Sequence, residues 1–286
     1  MPTNKTGNGE LLVAISSVGF GLMPTFAKMA YSAGISTYTL LFLRFAVAAV
    51  FMFSLMKIKK LPLPSRKETV SFFFLGAVGY VSQSLCYFLA IEYATSSVAA
   101  LLFYTHPAFV MLFSSLLFKE KITTVKVVSL ALALSGAFII VGGEFTSSPV
   151  GIILALLASV IYTFYLLINS RIVKKGMGVQ SSAFIMLGAA SVFGIINIFT
   201  GFTVPSNSNG YLAVVLIALI STVLAFWALL TGMEMTGPSK ATLISTIQPV
   251  VTVIMSVLVL SEPVTYRIII GGCLVVSALV FQSGKN

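Results

Sequence analysis

The chain has 286 residues, 58% of them hydrophobic and only 8% charged, with a mean hydropathy of +1.07. A soluble domain carries about 25% charged residues, so a water-facing surface is excluded and the chain reads as an integral membrane protein. The net charge of +10 would point to nucleic acid only if the basic residues formed one soluble patch, and here they sit in short links between apolar runs.

A membrane-crossing helix needs about 20 apolar residues. In chain order the apolar runs predict ten spans, at 11–32, 37–56, 69–91, 96–118, 124–143, 149–170, 179–200, 209–233, 238–260 and 266–282. Lys5 is the one basic residue before the first run and no small-residue cleavage site follows it, so it is expected to be a span and not a signal peptide. The links are short, which predicts antiparallel neighbours and no separate soluble domain. With ten spans both termini share a side. That side collects fourteen Lys and Arg residues, against Arg267 alone on the other, while Lys28 and Arg44 fall within spans. The positive-inside rule then places both termini in the cytoplasm.

The chain also matches itself. At an offset of 142 residues, without a gap, SSVAALLFYTHPAFVMLFSSLLFKEKIT (96–123) lies over PSKATLISTIQPVVTVIMSVLVLSEPVT (238–265). Ser97 falls on Ser239, Pro107 on Pro249, Ser114 on Ser256, Glu120 on Glu262 and Thr123 on Thr265; farther out, Ser17 falls on Ser159, Gly34 on Gly176 and Glu92 on Glu234. Similarity between hydrophobic helices explains leucine on leucine, but not Pro, Glu and Thr in one register. Two halves are expected, 1–143 and 144–286, each with five spans. Five is odd, so the second half enters the membrane inverted. Inverted repeats are a secondary-transporter architecture with a site near the midplane.

The same segments, extended to LAIEYATSSVAALLFYTHPAFVMLFSSLLFKEKIT and TGMEMTGPSKATLISTIQPVVTVIMSVLVLSEPVT, resemble paired helices of the drug/metabolite transporter superfamily, in its ten-helix EamA family. GFGLMPTFAKMA followed by LLFLRFAVAAV resembles the family's opening helices, with Lys28 and Arg44 at the usual basic positions and Phe20–Gly21 where many members have Trp–Gly. The resemblance covers nearly the whole chain. It implies an all-α integral membrane fold of ten helices in two inverted five-helix repeats. It also implies export or exchange of small organic metabolites such as amino acids, through a cavity lined mainly by helices 1, 3, 4, 6, 8 and 9.

His106, the one histidine, precedes Pro107 near the middle of the fourth span, and its repeat mate Gln248 precedes Pro249. Each proline frees a carbonyl one turn earlier, and irregular backbone at this depth is tolerated only against protein or a wet cavity. His106 and Gln248 are therefore expected to be two pseudo-symmetric polar points of the site. Polar residues at helical spacing extend it: Ser245, Gln248, Thr252 and Ser256 in the ninth span; Tyr80, Gln83, Ser84 and Tyr87 in the third; Ser159, Tyr162 and Thr163 in the sixth; Ser17, Gly21, Pro24 and Lys28 in the first. The expected substrate-contacting set is His106, Gln248, Tyr80, Gln83, Ser245, Thr252, Tyr162, Ser17 and Phe103. Hydrogen bonding between helices is the plainer reading of any one stripe. A cavity of hydroxyls, amides and rings suits an amphipathic solute such as a zwitterion with an apolar part.

Lys28 lies near the outer end of its span, where its side chain can snorkel. Arg44 lies some seven residues, or roughly 10 Å, inside the outer end of the second span. Both are candidates for an anion contact at an outer gate, and Glu92 for an ion pair with either. Trp227 and many phenylalanines are expected at lipid.

One histidine, no aspartate and the isolated thiols of Cys86 and Cys273 supply no catalytic or metal-binding set, so neither enzyme chemistry nor a cofactor is expected. The partners are a small-molecule solute and the bilayer, with no nucleic acid, and the protein is a monomer or homodimer. The expected function is a facilitator or exchanger in the cytoplasmic membrane. The alternatives are a proton-coupled antiporter using His106, a channel, and a non-transporting receptor or assembly protein. Small residues in the fifth and tenth spans, Ala131, Ser135, Gly271 and Gly272, allow close helix contact.

Overall fold

The computed structural model describes residues 3–118, 124–141, 147–174 and 176–283. Glu120, Thr123 and Glu144, Lys119, Lys121, Lys175 and Lys285, and the expected boundary between the halves at 143/144 lie outside the described residues. Every regular element among the described residues is helical. In chain order they are α1 (Thr3–Ser32), α2 (Thr37–Ile58), α3 (Arg66–Tyr93), α4 (Ser96–Phe103), α5 (His106–Phe118), α6 (Thr124–Val141), α7 (Pro149–Ile172), α8 (Gly178–Thr200), α9 (Ser208–Thr236), α10 (Pro238–Ser245), α11 (Ile247–Leu260) and α12 (Tyr266–Ser283). Among the described residues seven helices are long and apolar enough to cross a membrane, with α4 and the start of α5 counted as one; the segments expected as the fifth, ninth and tenth spans hold shorter apolar stretches below that length, Val127–Ile140, Ile247–Leu260 and Tyr266–Phe281. The outer surface carries bare apolar side chains, such as Phe138 at 79% and Phe199 at 84% exposure. Such a belt suits lipid and not water.

Local chemistry sets the helix ends. The side chains of Ser36, Thr95, Ser148 and Asn207 accept first-turn N–H groups at the starts of α2, α4, α7 and α9, and Ser65 with Glu68 forms a capping box at α3. Gly34 and Gly176, repeat mates, both turn the chain with positive φ, 83° and 86°. That left-handed region is open to glycine without strain. Both follow the first helix of their half, so the repeat is written in the backbone as well as in the letters.

The two halves join through mates. Helix α2 runs along α8, and α6 along α12. A contact between equivalent elements is what a pseudo-two-fold axis produces. In the second pair the backbones almost touch: a Cβ on Gly136 would stand 2.6 Å from the Gly271 carbonyl oxygen, and one on Gly271 would stand 2.6 Å from that of Gly136. The expected small residue Gly271 is thus used inside the chain, while Ala131 and Ser135 are exposed.

Bonds between links sort the bundle into two faces. At one, the far face, Ser206 N donates to the Ala33 carbonyl, Ser148 N to that of Tyr93, and Glu262 accepts from Ser96 N and Ser97 N. At the other, the terminus face, Lys174 pairs with Glu68 at 2.7 Å and Lys240 with Glu10.

Candidate functional site

The middle of the bundle is made irregular at four places. The rod of α4 and α5 breaks at Tyr104–Thr105, and that of α10 and α11 at Thr246. Helix α3 contains a π-helical turn at Leu75–Tyr80, and its repeat mate α9 contains one at Leu219–Leu224. Such turns widen a helix by one residue per turn and are frequent at functional sites.

The His106–Pro107 pair has a direct physical reason. Pro107 has no N–H to give the Phe103 carbonyl, four residues back. The His106 Nδ1 takes that place, 3.0 Å from Phe103 O. A carbonyl only accepts, so Nδ1 carries the proton and Nε2 is left as an acceptor. Around the break, Thr105 Oγ1 and Ser159 Oγ lie 2.9 Å apart, and Thr163 Oγ1 donates to the His106 carbonyl at 3.3 Å. The second break is reached from the first: Tyr104 Oη donates to Gln248 Oε1 at 2.6 Å, bridging the halves. On its other side Gly21 lies against α11, where a Cβ would come within 2.8 Å of the Gln248 carbonyl oxygen.

Between these breaks lies a cavity of about 470 Å³, within the range of small-molecule sites. Of the residues expected at the site, His106, Gln248, Tyr80, Gln83, Ser245, Tyr162 and Phe103 line it. Its aromatic wall is continuous. Phe103 stands 4.5 Å from Tyr87, 5.0 Å from His106 and 5.3 Å from Tyr162, and Tyr162 stacks on Tyr165 at 5.7 Å. The lining extends toward the terminus face through Leu166, Leu229, Met233 and Ala241.

Other expected residues fall elsewhere. Ser17 is fully buried and bonds the Val13 carbonyl of its own helix at 2.7 Å. Thr252 is buried and donates to the Gly21 carbonyl at 2.8 Å, tying α11 to α1. Neither lines the cavity: one turn beyond Gln248 the helices have closed on each other. Lys28 reaches the Glu92 backbone carbonyl at 3.4 Å, and the Glu92 carboxylate accepts from Thr37 Oγ1 at 2.7 Å. These two close the far face and stand away from the cavity.

Arg44 is the largest departure. It does not reach the far face; it lines the cavity at 3% exposure. Its Nε donates to Thr222 Oγ1 at 3.0 Å, and its guanidinium lies near the Tyr80 hydroxyl, which lines the same cavity. It also lies 4.9 Å and 5.3 Å from the ring centres of Phe45 and Phe88. Tyr80 and Thr222 are repeat mates at the 142 offset, one at the end of the α3 π-turn and the other inside that of α9. Arg44 thus joins both turns. Among the described residues no carboxylate pairs with it.

The expected lining helices 1, 3, 4, 6, 8 and 9 of the resemblance correspond to α1, α3, α4–α5, α7, α9 and α10–α11, and all contribute; Arg44 of α2 and Leu279 of α12 are additions. Tyr104, Thr246, Phe20 and Phe226 also line the cavity. The repeat could have found Thr222, as mate of Tyr80, and Thr246, as mate of Tyr104.

The model of the EamA-like transporter family matches the chain twice, over residues 7–142 and 149–284. Among similar proteins, "Uncharacterized transporter YdfC" of Bacillus subtilis is 26% identical over 87% of this chain and 83% of its own. An "Uncharacterized transporter" of Clostridium kluyveri is 22% identical over 97% and 94%. One crystal structure of a protein superposes with a TM-score of 0.67 at 17% identity, covering 96% of each chain.

Proposed function

The chain belongs to the EamA-like transporter family, and on that premise we propose that it carries small amphipathic organic metabolites across the cytoplasmic membrane by alternating access, as a facilitator or exchanger working in export. The observation that carries this reading is the placement of the cavity. It lies between the two broken rods, one from each half, and is bridged by Tyr104 and Gln248. A pocket built by two inverted halves opens to one side or the other as the halves rock. With the termini in the cytoplasm, as the charge distribution supports, the lining through Leu166, Leu229, Met233 and Ala241 leads inward. The contacts of Glu262 with Ser96 and Ser97, and of Glu92 with Thr37, then close the outside. This arrangement is an inward-facing state.

Facilitation or exchange is favoured over proton antiport because no carboxylate among the described residues lines the cavity and the one imidazole has its N–H committed to a backbone carbonyl. A proton relay needs a group that gains and releases charge. Accessibility tests the reading: Ser245→Cys in a background lacking Cys86 and Cys273, treated with a membrane-impermeant maleimide in right-side-out and inverted vesicles. A carrier labels from both sides, faster from the cytoplasmic one. Labelling from a single side only is the behaviour of a fixed receptor pocket and contradicts transport.

A further inference from the structure

Arg44 poses a problem that the fold alone does not solve. Its guanidinium carries a permanent charge, is nearly sealed from solvent, and sits at the depth of the helix breaks. A charge removed from water needs an opposite charge or a full set of hydrogen bonds. Among the described residues its neighbours are all neutral: the hydroxyl of Thr222, which it bonds, the nearby hydroxyl of Tyr80, and the faces of Phe45 and Phe88. Among the described residues no Glu lines the cavity, and the other polar groups there are amides, hydroxyls and one imidazole. Among the described residues, the solute compartment therefore holds one fixed positive charge and no acid to balance it.

A purely structural role fits poorly. Tying the two π-turns together needs donors that reach two hydroxyls, and a neutral amide would serve. Nor does the device recur by symmetry, since the repeat mate of Arg44 is Met186. An aromatic wall can also attract a cation, but the face presented by Tyr80, Tyr162 and Phe103 shares its space with the guanidinium, which repels one.

Resting on the transport reading above, we propose that Arg44 is the counter-charge for the anionic group of the transported solute, and that this solute is an organic monoanion: a carboxylate on an aromatic or apolar body. The carboxylate pairs with the guanidinium, the planar fork that best matches it. The body lies against Phe103 and Tyr162, and Gln83 and Gln248 can hydrogen-bond further polar atoms. One charge on the protein calls for one on the solute. This narrows the zwitterion suggested by the sequence, because among the described residues no acidic group lines the cavity to receive an ammonium.

The test is binding of four probes that share one body: 3-phenylpropanoate, 3-phenylpropanamide, 3-phenylpropylamine and phenylalanine. Affinity is read from the shift of the thermal unfolding midpoint of the purified full-length protein against probe concentration at neutral pH. The acid is expected to bind at least about 10-fold more tightly than the amide, the scale of a hydrogen bond to a charged group. Arg44→Gln should remove that preference and Arg44→Lys should keep part of it. Equal affinity for acid and amide in the unaltered protein, tighter binding of the amine or of phenylalanine, or no binding of the acid at millimolar concentration overturns the proposal, whether or not the variants fold. Liposome flux separates this from failure of the transport reading. A protein that moves another solute and ignores the acid loses only the anion site. One that prefers the acid and moves nothing keeps the site and loses transport.

Discussion

Removing the Glu262 carboxylate should open the far face. Its Oε1 accepts from Ser96 N at 2.7 Å, and its Oε2 from Ser97 N at 3.2 Å and Ser97 Oγ at 3.3 Å. The next N–H of that helix end, on Val98, is already held by Thr95, so Glu262 supplies what the first turn of α4 otherwise lacks. The contact joins the second half to the first, and under the alternating-access proposal it is broken when this face opens. A hydrogen bond to a charged group contributes about 1.5–3 kcal/mol, and the helix dipole adds about 0.3–1 kcal/mol. Water recovers part of this when the face opens, so Glu262→Ala should cost the closed state about 2 kcal/mol, roughly a 30-fold shift toward opening at 1.4 kcal/mol per tenfold. Glu262→Gln keeps an acceptor without charge and should shift it less, by roughly 3- to 5-fold. The assay is the rate at which an impermeant maleimide added to intact cells labels Ser84→Cys, in the background lacking Cys86 and Cys273. Ser84 lines the cavity in the far half of α3 and is 2% exposed here. The rate should rise in the order parent, Glu262→Gln, Glu262→Ala. Equal rates in all three would refute the assignment of Glu262 as the closing contact.

Gly21→Ala puts a Cβ 2.8 Å from both the Gln248 carbonyl oxygen and Val251 Cβ; overpacking of about 1–3 kcal/mol should lower the thermal midpoint, while Gly7→Ala, with nothing within 4 Å, should not. Gly136→Val and Gly271→Val each drive a side chain into the facing backbone, so both should sharply reduce the yield of folded protein, and Ser135→Val, at an exposed position of the same helix, should leave it unchanged. His106→Gln should leave downhill flux within about 3-fold of the parent, since a neutral hydrogen-bond group replaces a neutral one; abolished flux in a variant that folds normally would favour the proton-coupled alternative.

What the sequence could carry divides along a physical line. Hydropathy and the 142-residue register are one-dimensional signals, and they were enough for the long helices, the repeat and the two mid-span prolines. His106 and Gln248 come to one cavity because the prolines that break their helices also mark depth. The π-turns leave no such trace: LGAVGY at Leu75–Tyr80 and LISTVL at Leu219–Leu224 share no common pattern of letters, and only the hydrogen-bond pattern distinguishes them from the α-helix on either side. Thr252 shares a helical face with Gln248, so periodicity alone joins them; the approach of α1 at Gly21 separates them. Arg44 lies away from the expected outer gate for a related reason. Residue counting gives distance from the end of a span, and a long side chain near that end can reach headgroups. Which way it turns depends on Thr222, 178 residues away.

Counterflow in proteoliposomes tests the central claim most directly. Vesicles holding the purified protein are preloaded with an unlabelled solute from the phenyl series, or left empty, and then given the same solute labelled outside. A carrier whose single cavity alternates between the two faces must take up label faster when preloaded, with a transient overshoot and saturation at high concentration. Uptake that is identical with and without preloading and rises without saturation, or no protein-dependent uptake of any solute tried, would contradict it.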